Sequence, residues 1–208
     1  MKGVCAEQGI IARQHTNTLL KELFRKSIHL CSAFVPFFLH LAKWPVLAIL
    51  AVMVVLYSIT EYIRLHGKTV PFVSAITAAA ARKRDENRFV LGPVTLSFGI
   101  ILCALLWQPL PAAIGIYALA FGDGLASLCG KLFGKITIPC TQGKTVAGSL
   151  SCFAAIFVSA FCTCRSALVS LAVASVGMFI EVLPLKDFDN VIIPVVIGGC
   201  ATVLLGMP

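Results

Sequence analysis

Charge is scarce in this chain. Of its 208 residues only 12% are Asp, Glu, Lys or Arg, while 59% are hydrophobic, and the mean hydropathy is +0.95. Soluble domains are about a quarter charged, so the shortage argues against an ordinary water-soluble fold and for several spanning helices. No cleavable leader is expected: Met1–Thr18 is mostly polar, and the first long apolar run opens near Leu19, as in a retained spanning helix. Nine cysteines occur without one Cys-x-x-Cys pair, which disfavours a zinc or disulfide framework and leaves them as small apolar side chains. No convincing internal repeat is found, although many transporters carry one. The net charge of +8 does not indicate nucleic acid, because the basic residues sit in the connections between apolar runs.

Long apolar runs are what the chain does have. Seven qualify: Leu23–Leu41, Trp44–Tyr62, Val90–Trp107, Leu110–Leu128, Val146–Thr163, Ser166–Leu183 and Val191–Met207. Each is near the roughly 20 residues that a spanning helix needs. Backbone groups in lipid must be bonded internally, so helix is the expected state. The expected fold is therefore an all-α, polytopic integral membrane protein of about seven transmembrane helices, one domain over residues 1–208. With alternating sides, 15 of the 17 Lys and Arg residues fall on the side of the N-terminus, and only Lys43 and Arg165 fall opposite. That asymmetry places the N-terminus in the cytoplasm. Residues 1–18, 67–89 and 129–145 then form cytoplasmic segments, the last of them a candidate nucleotide-binding loop. Part of 67–89 reads as an amphipathic helix on the membrane surface. Its run ARKRDENR is either a solvated loop against anionic headgroups or a source of site residues, Arg82 and Glu86. The acids gather on the same face, which suits a site for a water-soluble ligand better than a through-channel.

Asp123 is the only acid between Glu86 and Glu181. Gly122, Gly124, Gly130, Gly134, Gly143 and Gly148 surround it, with Lys131, Lys135 and Lys144 interleaved. On a helix, Asp123, Ser127 and Gly130 or Lys131 share one face. A carboxylate there suits Mg²⁺, which favours a few carboxylates plus phosphate oxygens. Gly143-Lys144-Thr145 looks like the end of a P-loop, but the upstream glycine and the preceding strand are missing, which excludes that motif. Lys144 and Thr145 still precede a helix whose positive end can receive an anion. Upstream, Glu22 and Lys26 are expected to pair at i, i+4, with Arg25 and His29 as a second row. His29 has no second histidine at metal spacing, which disfavours zinc; phosphate binding, proton relay and a plain interhelical hydrogen bond stay open. Asp189 or Asn190 could cap the last helix. With Asp123 and Glu181 they would instead supply a set of oxygen ligands, self-repelling unless a cation joins it.

The order Glu22…Arg25-Lys26…His29, Gly122-Asp123…Ser127…Gly130-Lys131…Gly134-Lys135, Lys144-Thr145-Val146…Gly148 and Glu181…Asp189-Asn190…Pro194 resembles the polyprenol kinase family. That group contains dolichol kinases, phytol kinases and CTP-dependent diacylglycerol kinases. Arg82, Glu86 and Gly92 are similar to its loop after the second helix, and the resemblance runs from Glu22 to Pro194. It implies transfer of the γ-phosphoryl group of CTP, with Mg²⁺, to the hydroxyl of a membrane lipid: a polyprenol, a phytol-like prenol or diacylglycerol. By the same resemblance Asp123, Glu181 and Asp189 hold the metal and position the hydroxyl. Gly122, Ser127, Lys131, Lys135, Lys144, Thr145, Gly148 and Asn190 contact the nucleotide, and Arg25, Lys26, His29 and Arg82 form a basic wall. Phosphatidate cytidylyltransferases look similar over the same stretch. Gly143 and Ala147 stand where that family has Lys and Glu, and its Asp-Arg-x-Asp ending is missing, so the kinase reading is favoured. Lys131 or Lys135 then supplies the cation lost at Gly143. A membrane transporter is the non-enzymatic alternative.

Overall fold

The computed structural model describes residues 19–67, 88–139, 141 and 143–207. Among them every named element is helical. α1 covers 19–31 and passes through a 3₁₀ turn, Ser32–Phe34, into α2, Val35–Leu65. α3 is Gly92–Leu106 and α4 is Pro109–Tyr117. A π-helical segment, Ala118–Asp123, continues α4 into α5, Gly124–Phe133. α6 (Val146–Cys164), α7 (Ala167–Val182) and α8 (Asp189–Leu204) complete the bundle.

All seven expected runs fall on helix. The first two are joined, and the boundary expected between Leu41 and Trp44 survives as a break inside α2. There Ala42 is extended (φ −154°, ψ 81°), with Pro45 following inside the helix. Proline has no N–H for the Leu41 carbonyl and its ring clashes with that carbonyl, which the turn at Ala42 relieves. Leu19–Leu65, Pro109–Phe133 and Val146–Cys164 are long and apolar enough to cross a membrane. α3, α7 and α8 are apolar but only 15 or 16 residues long.

α4 and the π segment form the centre, packed against α6, α8, α2 and α3. Ile114, Ile116, Leu119, Ile156, Val173, Ile193 and Ile197 are buried there. α2 lies outermost, with Phe37, Leu41, Trp44, Ile49 and Met53 exposed. An apolar surface of that extent is unusual against water and suits lipid. Arg165 ends α6 in the left-handed region and Ser166 caps α7 by accepting from the Val169 N–H, so α6 reverses directly into α7.

At the end of α2 a buried carboxylate closes the connection that leads to α3. Glu61 accepts from Arg64 Nε (2.8 Å), Arg64 Nη2 (2.7 Å) and the Val90 N–H (2.9 Å). Arg64 also donates to the Arg88 carbonyl at 2.9 Å, and the Tyr57 hydroxyl donates to the Val90 carbonyl at 3.0 Å. The chain thus returns at residues 88–90 to the place where it left α2. Arg82 and Glu86 lie outside the described residues.

Candidate functional site

The π segment ends on the acid that the sequence singled out. π-helical turns are rare and concentrate at functional sites; here Asp123 is its last residue and is 4% exposed. Lys26 Nζ donates to Asp123 Oδ2 at 2.5 Å. His29 Nδ1 stands 3.1 Å from the same oxygen, close enough for attraction but without hydrogen-bond alignment. This corrects the expected pairing inside α1: Lys26 goes to Asp123 across the bundle, and Glu22 pairs with Arg25 at i, i+3 (2.5 Å). A buried ammonium needs a charged partner; Asp123 supplies it, while Glu22, also buried, is already held by Arg25, Ser127 and Lys131.

Glu22 organises the next layer. It accepts from Ser127 Oγ at 2.7 Å and Lys131 Nζ at 2.8 Å, so α1 is tied to one face of α5. Asp123, Ser127, Gly130 and Lys131 do share that face, and all four line one cavity of about 360 Å³. The close approach of α5 to α6 explains two glycines. A Cβ at Gly148 would lie 2.8 Å from the Ala126 carbonyl oxygen, and one at Gly134 would lie 2.6 Å or less from Thr145 side-chain atoms.

The third wall comes from the loop before α6. Ile138 N–H donates to the Lys144 carbonyl (2.8 Å) and Val146 N–H to the Ile136 carbonyl (3.0 Å), around a Thr137–Thr145 bridge. Gly143 turns this small hairpin at φ +91°, a conformation glycine adopts freely and lysine does not. The departure seen in the sequence at Gly143 therefore has a backbone cause. Thr145 caps α6, its Oγ1 accepting from the Gly148 N–H at 3.2 Å. Lys144 Nζ donates to Glu181 Oε1 at 2.5 Å and Ser149 Oγ to Glu181 Oε2 at 3.2 Å. Glu181 sits in the last turn of α7. Asp189, in the first turn of α8, accepts from the Asn190 N–H at 2.9 Å and makes no ion pair among the described residues.

Ten of the expected site residues thus meet in one cavity: Arg25, Lys26, Asp123, Ser127, Lys131, Lys144, Thr145, Gly148, Glu181 and Asp189. Others are placed elsewhere. His29 stands behind Asp123, and a Cβ on Gly122 would strike Ile156 at 2.7 Å. Lys135 is exposed away from the lining. Asn190 donates to Thr95 Oγ1 at 2.9 Å, linking α8 to α3, and it does not cap α8, whose N-cap is Phe188. The sequence reading missed Ser149, Thr141 and Lys186. Thr141 and Lys186 also line the cavity, and no spacing rule links Ser149 to Glu181, 32 residues away.

The lining holds four carboxylates (Glu22, Asp123, Glu181, Asp189) and five cations (Arg25, Lys26, Lys131, Lys144, Lys186). Buried Arg25 Nε has no hydrogen-bond partner among the described residues. Among the described residues no three His, Cys, Asp or Glu side chains assemble as a ready metal cluster: lysines stand on Asp123 and on Glu181. The oxygen donors nevertheless fit Mg²⁺, which takes one or two carboxylates and completes its shell with phosphate oxygens and water.

No family model matches the chain, and no solved structure matches it significantly. Curated proteins do. "Probable phytol kinase 1, chloroplastic" of Glycine max is 29% identical over 145 residues, 65% of this chain and 46% of that protein. The chain resembles phytol kinases. The protein of the same name from Oryza sativa subsp. japonica is 25% identical over 229 residues, covering 98% of this chain and 70% of that protein. "Phytol kinase 1, chloroplastic" of Arabidopsis thaliana is 26% identical over 147 residues, 66% and 46% of the two chains. The chain spans about half the length of most of the phytol kinases it matches. These names agree with the polyprenol and phytol kinase resemblance carried by the motifs.

Proposed function

We propose that this chain is a CTP-dependent lipid-alcohol kinase of the bilayer, with seven spans, a cytoplasmic N-terminus and its site on the cytoplasmic face. The observation that carries the reading is the cavity in which Asp123, Glu181 and Asp189 meet Arg25, Lys26, Lys131 and Lys144. It lies within a chain resembling phytol kinases. Phosphoryl transfer depends mainly on positioning and charge neutralisation, and the residues divide along those lines. Asp123 and Asp189 would hold Mg²⁺ together with phosphate oxygens of the nucleotide, the ion offsetting their charge. Arg25, Lys131 and Lys144 donate to the phosphates at the positive end of α6. Lys26 and His29 fix the Asp123 carboxylate. The alcohol oxygen attacks the γ-phosphorus, the bond from that phosphorus to the β,γ-bridging oxygen breaks, and CDP leaves. The hydroxyl proton passes to a carboxylate of the cavity that is not engaged with the ion.

The test uses the purified full chain in lipid nanodiscs with Mg²⁺, CTP labelled at the γ-phosphate, and a panel of phytol, longer polyprenols and diacylglycerol. The expected result is label on a lipid alcohol with CDP released in equal amount. Pyrophosphate release with a CDP-lipid product would overturn the reading in favour of a cytidylyltransferase. No turnover of any alcohol, with nucleotide-independent passage of solute, would overturn it in favour of a transporter.

A further inference from the structure

A second, larger cavity of about 730 Å³ lies outside the site. Its volume falls within the roughly 300–1,000 Å³ typical of small-molecule sites. It is lined largely by apolar side chains, among them Phe37, Leu39, Trp107, Leu110 and Phe121, with His40 and Lys43 also in its wall.

Its position follows from three elements that each border both cavities, the central helix in the opposite chain direction from the other two. The first helical run gives Lys26 to the polar cavity and, eleven residues on, Phe37 to the apolar one. α6 gives Gly148 to the polar cavity and Ser159 to the apolar one. The central helix gives Asp123 to the first and Ala113, Tyr117 and Phe121 to the second. At about 1.5 Å of rise per residue, all three place the apolar cavity next along the helix axes, its middle roughly 15 Å from the acid. Its near edge is Phe121, two residues before Asp123 and stacked on Tyr117 with centroids 6.0 Å apart. The outer wall belongs to α2, where Phe37 is 59% exposed, so the groove meets the surface that suits lipid.

We infer that this groove holds the hydrocarbon tail of the acceptor alcohol, with the hydroxyl at Asp123 and the chain extending along α4 towards Trp107 and Lys43. The inference rests on the kinase reading for the identity of the hydroxyl, and on the cavity itself for the tail. A tail lying in a bounded groove makes the chain length of the alcohol a determinant of binding; a tail left in bulk lipid does not.

The test is a C20 isoprenoid alcohol carrying a diazirine at its far end, photolysed on the full chain in nanodiscs and mapped by peptide mass spectrometry. Adducts are expected on the segment 104–117 and on α6 near Ser159 and Thr163. Ala113→Trp and, from a different helix, Ser159→Phe fill the groove without touching the polar cavity. Each is expected to cut that labelling at least fivefold. In turnover assays each should raise KM for C20 alcohols at least fivefold while leaving a C10 alcohol within twofold. Label spread over outward-facing lipid positions, or unchanged labelling and chain-length dependence in both variants, would overturn the groove. Groove labelling without phosphorylation of any alcohol would overturn the kinase reading and leave the groove standing. Turnover without groove labelling would do the reverse.

Discussion

Glu61 and Asp123 are both carboxylates buried in apolar helices, 0% and 4% exposed, yet they are held in different ways. Glu61 is saturated: Arg64 grips both of its oxygens, and a backbone N–H takes one of them as well. Among the described residues it lines neither of the two cavities, and its partners bind the chain to itself. Asp123 is held by Lys26 and approached by His29, and the same lysine lines a cavity with four other cations. An ionisable group at membrane depth is costly wherever it lies. What separates a clasp from a site is whether the compensating charges face an open volume. In the first case the acid fixes a loop; in the second it holds a lysine that borders an open cavity.

The largest effect should come from separating the two roles of Asp123. Asp123→Asn should lower turnover about 10²–10³-fold, the scale for losing one preorganised electrostatic group. It also strands a buried ammonium, at a cost of about 3–5 kcal/mol. Adding Lys26→Met should restore the melting temperature and leave turnover absent. If the double variant recovers activity, Asp123 is a clasp like Glu61. Next, Lys144→Met should raise KM for CTP about 10- to 100-fold, from the roughly 1.5–3 kcal/mol of a charge-assisted hydrogen bond; an unchanged KM would confine Lys144 to holding Glu181. Glu61→Gln should lower stability by about 1–3 kcal/mol and leave turnover per folded molecule within twofold, which thermal unfolding and kinetics together can check. A selective loss of turnover would erase the contrast with Asp123. Smallest of all, Lys135→Ala should shift activity and stability by less than about 0.5 kcal/mol, as exposed substitutions do.

Much of this contrast could be read from the chain. Hydropathy located all seven helical runs, because period and composition are local properties, and even the break at Ala42 fell in the gap left between two runs. Asp123 and the face it shares with Ser127 and Lys131 were legible from helical spacing. Partner choice was not. Lys26 lies four residues from Glu22 and 97 from Asp123; both acids are buried, and only the packed bundle shows which of them the lysine reaches. Likewise Gly122 reads as a ligand-binding glycine, while the structure packs it against Ile156; Gly148 lines the cavity and also serves close helix packing. Ser149 carried no signal at all. Gly143 looked like a missing cation, and the left-handed turn that requires it becomes visible only once the loop closes on itself.

The π segment has one more consequence. A π-helical stretch amounts to an α-helix that has taken in an extra residue, so it acts as a phase shifter between the two halves of the central helix. Before it, Ala113 and Tyr117 line the apolar groove in one phase; at its end and after it, Asp123 and Ser127 line the charged cavity in another. Removing a single residue, such as Ala120, would return the segment to ordinary pitch and rotate the halves by about 100° relative to each other. Groove and acid would each stay built, but their facing relative to each other would change. The distance along the helix sets how far a tail can extend; the phase at Ala118–Asp123 sets whether its hydroxyl points at the acid.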